Sequence, residues 1–184
     1  MQHKPVKDMK VALIIASNGY QQVEYGAPKR ILEDAGVKVM TVSNKPGGAV
    51  AKDLSTTIVD LTLDEMNIDE YDGIFFIGGP GALEHLDIPI SYKLLAEAKN
   101  ADIPYGAICI AVRILAKADV LMGKRATGSN SDQVLTALLK GHGAIYEEDK
   151  DVVVDGLVVT ATGPSAAVAF GEGIIRVLTK ERLD

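Results

Sequence analysis

Short apolar blocks alternate with helix-length amphipathic segments from one end of this chain to the other, and that alternation constrains the fold more than any other feature. Residues 11–16 (Val-Ala-Leu-Ile-Ile-Ala) form an unbroken apolar run. It is far too short to cross a bilayer and too continuous for a half-solvated strand, so it reads as a strand buried on both faces of a parallel sheet. Residues 10–16 are therefore predicted as a strand, 24–35 as a helix closed by Gly36, and 38–43 as the next strand, a β-α-β unit. Further strands are predicted at 73–77, 104–108 and 124–127, with helices at 90–101, 111–118, 131–140 and 165–178. Val152-Val153-Val154 and residues 157–160 flank Asp155-Gly156, a strong hairpin signal. Residues 49–61, rich in Val, Ile and Thr but broken by Lys52-Asp53-Leu54-Ser55, predict short strands or a hairpin outside the main sheet. With no repeat or linker, the pattern predicts one α/β domain over 10–184 behind a loose arm at 1–9. Its architecture is a doubly wound, mostly parallel sheet with helices on both faces and a peripheral hairpin.

Composition narrows the classes of function. At 184 residues one core suffices without a disulfide or metal staple. The net charge of -6 leaves little for counterion release, so nucleic acid is not expected as a partner. The first residues lack the apolar core of a secretory signal, no run can span a membrane, and the single cysteine fits a reducing compartment; a cytoplasmic protein is expected. The three histidines, His3, His85 and His142, show no metal-ligand spacing, so neither a metal nor another cofactor is expected.

In open parallel sheets, ligands bind beyond the carboxyl ends of the strands. Three segments end there with useful groups. Ala107-Ile108-Cys109-Ile110-Ala111 joins a strand to a helix with small residues on both sides of the cysteine, the pattern of a nucleophile elbow. A thiol at a helix N-terminus is expected to titrate below the free value. Gly78-Gly79-Pro80-Gly81 supplies a backbone N–H at Gly79 that can join that of Ile110 in binding an oxyanion. Glu24 opens the first helix. Beside a thiolate it is expected to keep its proton, donate a hydrogen bond to Cys109 and act as a proton shuttle. Gly78, Tyr20, His85 and Thr162 are further candidates to line the site.

At these residues the chain resembles the DJ-1/PfpI superfamily over nearly its whole length. The residues that carry the resemblance are Asn18-Gly19-Tyr20, Glu24-Tyr25-Gly26-Ala27-Pro28, Gly78-Gly79, Ala107-Ile108-Cys109 and the Leu-Ala-Lys-Ala-Asp-Val-Leu-Met-Gly-Lys-Arg-Ala-Thr stretch at 115–127. Val154-Asp155-Gly156 and Thr160-Ala161-Thr162-Gly163-Pro164 also match in kind. The resemblance implies a flavodoxin-like fold, a homodimer or higher homo-oligomer, Cys109 as nucleophile and Glu24 as its partner. Members described as peptidases, glyoxalases, deglycases, isocyanide hydratases, chaperones and stress sensors share this fold, so it does not choose a reaction.

Departures from the family pattern narrow the choice. PfpI-like peptidases carry His immediately after the cysteine, where this chain has Ile110, so endopeptidase activity is not expected. Ala111-Val112 replaces a common Gly-Pro, and Gln21-Gln22 replaces acidic residues. A glutamine amidotransferase triad needs a late His-x-Glu pair, which is missing. The sequence thus predicts a cysteine-dependent enzyme, without a cofactor, that acts on a small electrophile. A redox sensor or chaperone-like protein without turnover, and a scaffold that has lost activity, stand as alternatives.

Overall fold

The computed structural model describes residues 4–179. His3 and the rest of 1–3, like 180–184, lie outside the described residues. Strand β1 (Lys10–Ile15) is central. It pairs in parallel with β3 (Lys38–Ser43), from Lys10↔Lys38 to Ile15↔Ser43, and with β7 (Gly73–Phe76) on its other edge. Pairing on both edges, with helices above and below, leaves Val11 to Ile15 fully buried, which is why the run is continuously apolar.

The seven-stranded sheet continues through β8 (Tyr105–Ile108), β12 (Val158–Ala161) and β11 (Val152–Asp155) on the β7 side, and ends at β6 (Leu61–Thr62) beyond β3. The Asp155-Gly156 hairpin is therefore part of the main sheet: β12 is a parallel neighbour of β8, and only β11 runs antiparallel at the edge. The hairpin that does lie outside is β4 (Gly47–Ala51) with β5 (Thr56–Val59), joined by β2 (Asn18–Tyr20) in a three-stranded sheet. β9 (Arg125–Ala126) likewise leaves the main sheet and pairs with β10 (Ile145–Tyr146).

Helices α1 (Gln22–Asp34) and α6 (Ala167–Thr179) pack together on one face. A Cβ on Gly171 of α6 would lie 2.9 Å from the Pro28 Cα of α1, so the close approach needs glycine there. The other face carries α3 (Pro89–Asn100) and α4 (Val112–Lys117). The remaining helices, α2 (Ala82–His85) and α5 (Leu135–Gly141), are short; α5 begins four residues later than expected because Asn130 and Asp132 cap a turn over 130–134 instead.

The described part of the expected loose arm is docked. Residues 6–8 make a turn of 3₁₀-helix, Met9 is buried, and the Lys4 ammonium meets Asp72 at 2.6 Å.

Candidate active site

Two loops at the carboxyl edge are zipped together, and this brings the candidate residues to one place. The Gln21 N–H donates to Gly78 O at 2.9 Å, and the Gly81 N–H donates to Gly19 O at 3.0 Å. The fit requires glycine: a Cβ on Gly81 would sit 1.8 Å from Asn18 O, and one on Gly79, whose φ is +113°, would sit 2.5 Å from Gln21 N. With that contact made, Glu24 in the first turn of α1 is carried under Gly78. A Cβ on Gly78 would lie 2.5 Å from Glu24 Oε2 and 2.7 Å from Cys109 Cβ, so the missing side chain is what lets carboxyl and thiol face each other.

Cys109 follows β8 directly, and its φ of +63° is the left-handed conformation of an elbow, which a non-glycine residue adopts at a cost. The strand thereby ends abruptly and the sulfur is presented at the sheet edge, half-buried. The Cys109 carbonyl accepts from the Ser129 N–H at 3.3 Å, which ties the 127–130 loop over the elbow. The Gly79 N–H makes no hydrogen bond within the described residues.

A cleft of about 270 Å³ opens at this point, lined by Glu24, Gly79, Cys109 and Ile110 together with Gln21, Lys52, Pro80, Ser129 and Pro164. The two candidate oxyanion donors and the nucleophile–carboxyl pair thus share one space, with Gly78 behind it. Three candidates lie elsewhere. Tyr20 is wholly buried with its ring edge-on to Tyr25, because the residue after Gly19 turns into the core. His85 ends α2 with its ring 3.9 Å from Glu84. Thr162 donates backbone and hydroxyl hydrogens to Asp151 O, which turns it to the hairpin. Sequence reasoning missed Lys52 and Ser129, since each lies in a loop without periodicity and reaches the cleft only through tertiary packing.

Electrostatics follow from dryness. Glu24 has no solvent exposure, and neither carboxyl oxygen has a partner of full hydrogen-bond geometry. Burial pushes its pKa up to about 7, while weaker interactions with the Cys109 thiol and the Gly78 N–H pull it down. Burial also pushes the Cys109 thiol up, to about 11, reinforced by the negative charge of ionised Glu24 and opposed by the Ile110 N–H and by Ser129. The Glu24 direction matches the sequence expectation and the Cys109 direction reverses it. The physical reason is that burial, together with Glu24, outweighs the Ile110 N–H and Ser129. Among the described residues no group of three His, Cys, Asp or Glu side chains could hold a metal ion, and no helix is long and apolar enough to cross a membrane.

Comparison with known proteins bears on the family and the fold. The model of the DJ-1/PfpI family matches residues 9–177. An uncharacterized protein of Methanocaldococcus jannaschii is 35% identical over 95% of this chain and 85% of its own. A deglycase of Pyrococcus abyssi is 30% identical over 90% of this chain and 98% of its own. Among solved structures, a ThiJ/PfpI domain protein from Brachyspira murdochii superimposes with a TM-score of 0.85 at 27% identity, covering 92% of this chain and 95% of that one.

Proposed function

Because the chain belongs to the DJ-1/PfpI family, we propose that it is a cysteine-dependent, cofactor-free enzyme acting on a small electrophilic substrate in the manner of a glyoxalase or deglycase. The observation that carries this reading is the meeting of Cys109, in a left-handed backbone conformation, with buried Glu24 and the backbone N–H groups of Gly79 and Ile110 around one cleft. Relatives named deglycases support the same class.

In this mechanism the resting sulfur is a neutral thiol. As the sulfur bonds to the substrate carbonyl carbon, the thiol proton passes to the Glu24 carboxylate, whose pKa of about 7 suits both acceptance and return of a proton near neutral pH. The carbonyl π electrons move to oxygen, and the developing oxyanion takes hydrogen bonds from Gly79 and Ile110. Glu24 then returns the proton to that oxygen, giving a neutral hemithioacetal. Ile110 beside the nucleophile can neither accept nor donate a proton, so peptide cleavage is not the favoured chemistry.

The test is a turnover screen with methylglyoxal and its thiol and amine adducts, run on wild type and Cys109→Ser. Turnover that vanishes in the variant supports the reading. Absence of turnover, with stoichiometric oxidation of Cys109 by mild peroxide, would replace it with the sensor.

A further inference from the structure

The cleft holds one cation, and the chemistry around it leaves that charge unused. Besides Glu24, Lys52 is the one ionisable side chain with a formal charge among the lining residues; Gln21 and Ser129 are neutral hydrogen-bonding groups. Lys52 comes from the turn between β4 and β5, outside the main sheet, and its side chain is exposed. Its backbone is fixed: the Lys52 N–H donates to Tyr20 O at 2.8 Å, which anchors the turn beside the start of the Glu24-bearing helix α1.

The nearest acid along the chain does not neutralise it. Asp53 Oδ1 accepts from the Ser55 N–H at 3.0 Å and from the Ser55 hydroxyl at 2.5 Å, and these bonds hold its carboxyl below the usual carboxylate range. Among the described residues the Lys52 ammonium makes no ion pair or hydrogen bond. The chain as a whole carries -6, so its overall field repels anions, and any attraction for one at this cleft has to be local.

We propose that Lys52 is a specificity-determining residue that selects electrophiles carrying a carboxylate beyond the reacting carbon, with that carboxylate at the cleft mouth and the electrophilic carbon at Cys109. The inference rests on the reading of Cys109 as the nucleophile. A cleft of about 270 Å³ admits a molecule of a few heavy atoms bridging the two groups. Lys52 acts on binding alone, through charge, and takes no part in proton transfer.

Iodoacetate and iodoacetamide form a matched pair for the test: both alkylate a thiolate by the same displacement of iodide, and they differ in carrying a carboxylate or a neutral amide. The ratio of their rate constants at Cys109, followed by intact mass under mildly alkaline conditions, cancels any change in thiol pKa. The wild-type ratio is expected to exceed that of Lys52→Met by about fivefold, the scale of one partly solvated charge pair. Lys52→Arg is expected to keep the wild-type ratio, whereas a displaced turn would change both rates together and leave the ratio unmoved. Equal ratios in wild type and Lys52→Met, with iodoacetamide still reacting at Cys109, would overturn this inference alone. Failure of both reagents to modify Cys109 in the wild type at a pH where its thiolate absorbance has risen would overturn the nucleophile reading and the inference with it.

Discussion

Two carboxyl groups at opposite ends of the same sheet are treated in opposite ways. Asp72, just before β7 at the amino edge, accepts from the Lys10 N–H at 2.8 Å and pairs with the Lys4 ammonium at 2.6 Å. Next to it, Lys10 pairs with Glu70 at 2.9 Å and lies 4.5 Å from the centre of the Tyr71 ring. Glu24 at the carboxyl edge is sealed from water with neither oxygen properly bonded, close to a cysteine in a left-handed conformation. Where polar groups are paired, the edge serves stability. Where they are left without partners and the backbone is strained, the local cost points to function.

The contrast is sharpest in its pH dependence. The folded Glu24 holds its proton to about pH 7 against an ordinary value of 4.5. Between those values the folded state binds more protons than the unfolded, so stability falls as pH rises through the window. The favourable contribution is complete below pH 4.5 and lost above about 7, amounting to about 3 kcal/mol. Denaturant unfolding across this range should show that decline in wild type and its absence in Glu24→Gln. The same variant should reduce turnover by about 100-fold, because glutamine cannot accept the thiol proton; kcat/KM on a substrate whose turnover needs Cys109 measures it.

Glycine replacements probe the close packing of the carboxyl edge. Gly78→Ala should cost about 2 kcal/mol, since the new Cβ would meet the carboxyl, the elbow and Ile108 O at 2.9 Å or less. Gly48→Ala, where nothing lies within 4 Å, should stay within about 0.5 kcal/mol of wild type. At the amino edge the effect is expected to be smaller than at Gly78: Asp72→Asn should lower stability by about 1 kcal/mol, measured by the same denaturant unfolding, and leave alkylation of Cys109 unchanged. If Asp72→Asn altered Cys109 as much as Glu24→Gln does, the division between the edges would fail.

Much of this arrangement is legible in the residues themselves. The apolar runs at 11–16 and 73–77 identify buried parallel strands, and small residues around Cys109 identify the elbow, because both are local consequences of packing and sterics. Asp155-Gly156 reveals a hairpin but not its place, since only the pairing of β12 with β8 settles that. Two-residue strands such as β6 and β10 are too short to show a period. Tyr20 misleads because alternation after Gly19 does not say which side faces the cleft. The thiol pKa misleads because the burial of the sulfur and its closeness to Glu24 belong to the assembled fold.

The central claim is that Cys109 rests as a neutral thiol and loses its proton to Glu24 only as it reacts. The most direct test is the ultraviolet thiolate absorbance of wild type minus that of Cys109→Ser, followed across pH. The account predicts no thiolate signal at pH 7 and a rise well above the ordinary thiol value of 9.0, toward about 11, shifted to lower pH in Glu24→Gln as the carboxylate charge is removed. A full thiolate signal at pH 7 would contradict it and would place the proton of the pair on Glu24 instead.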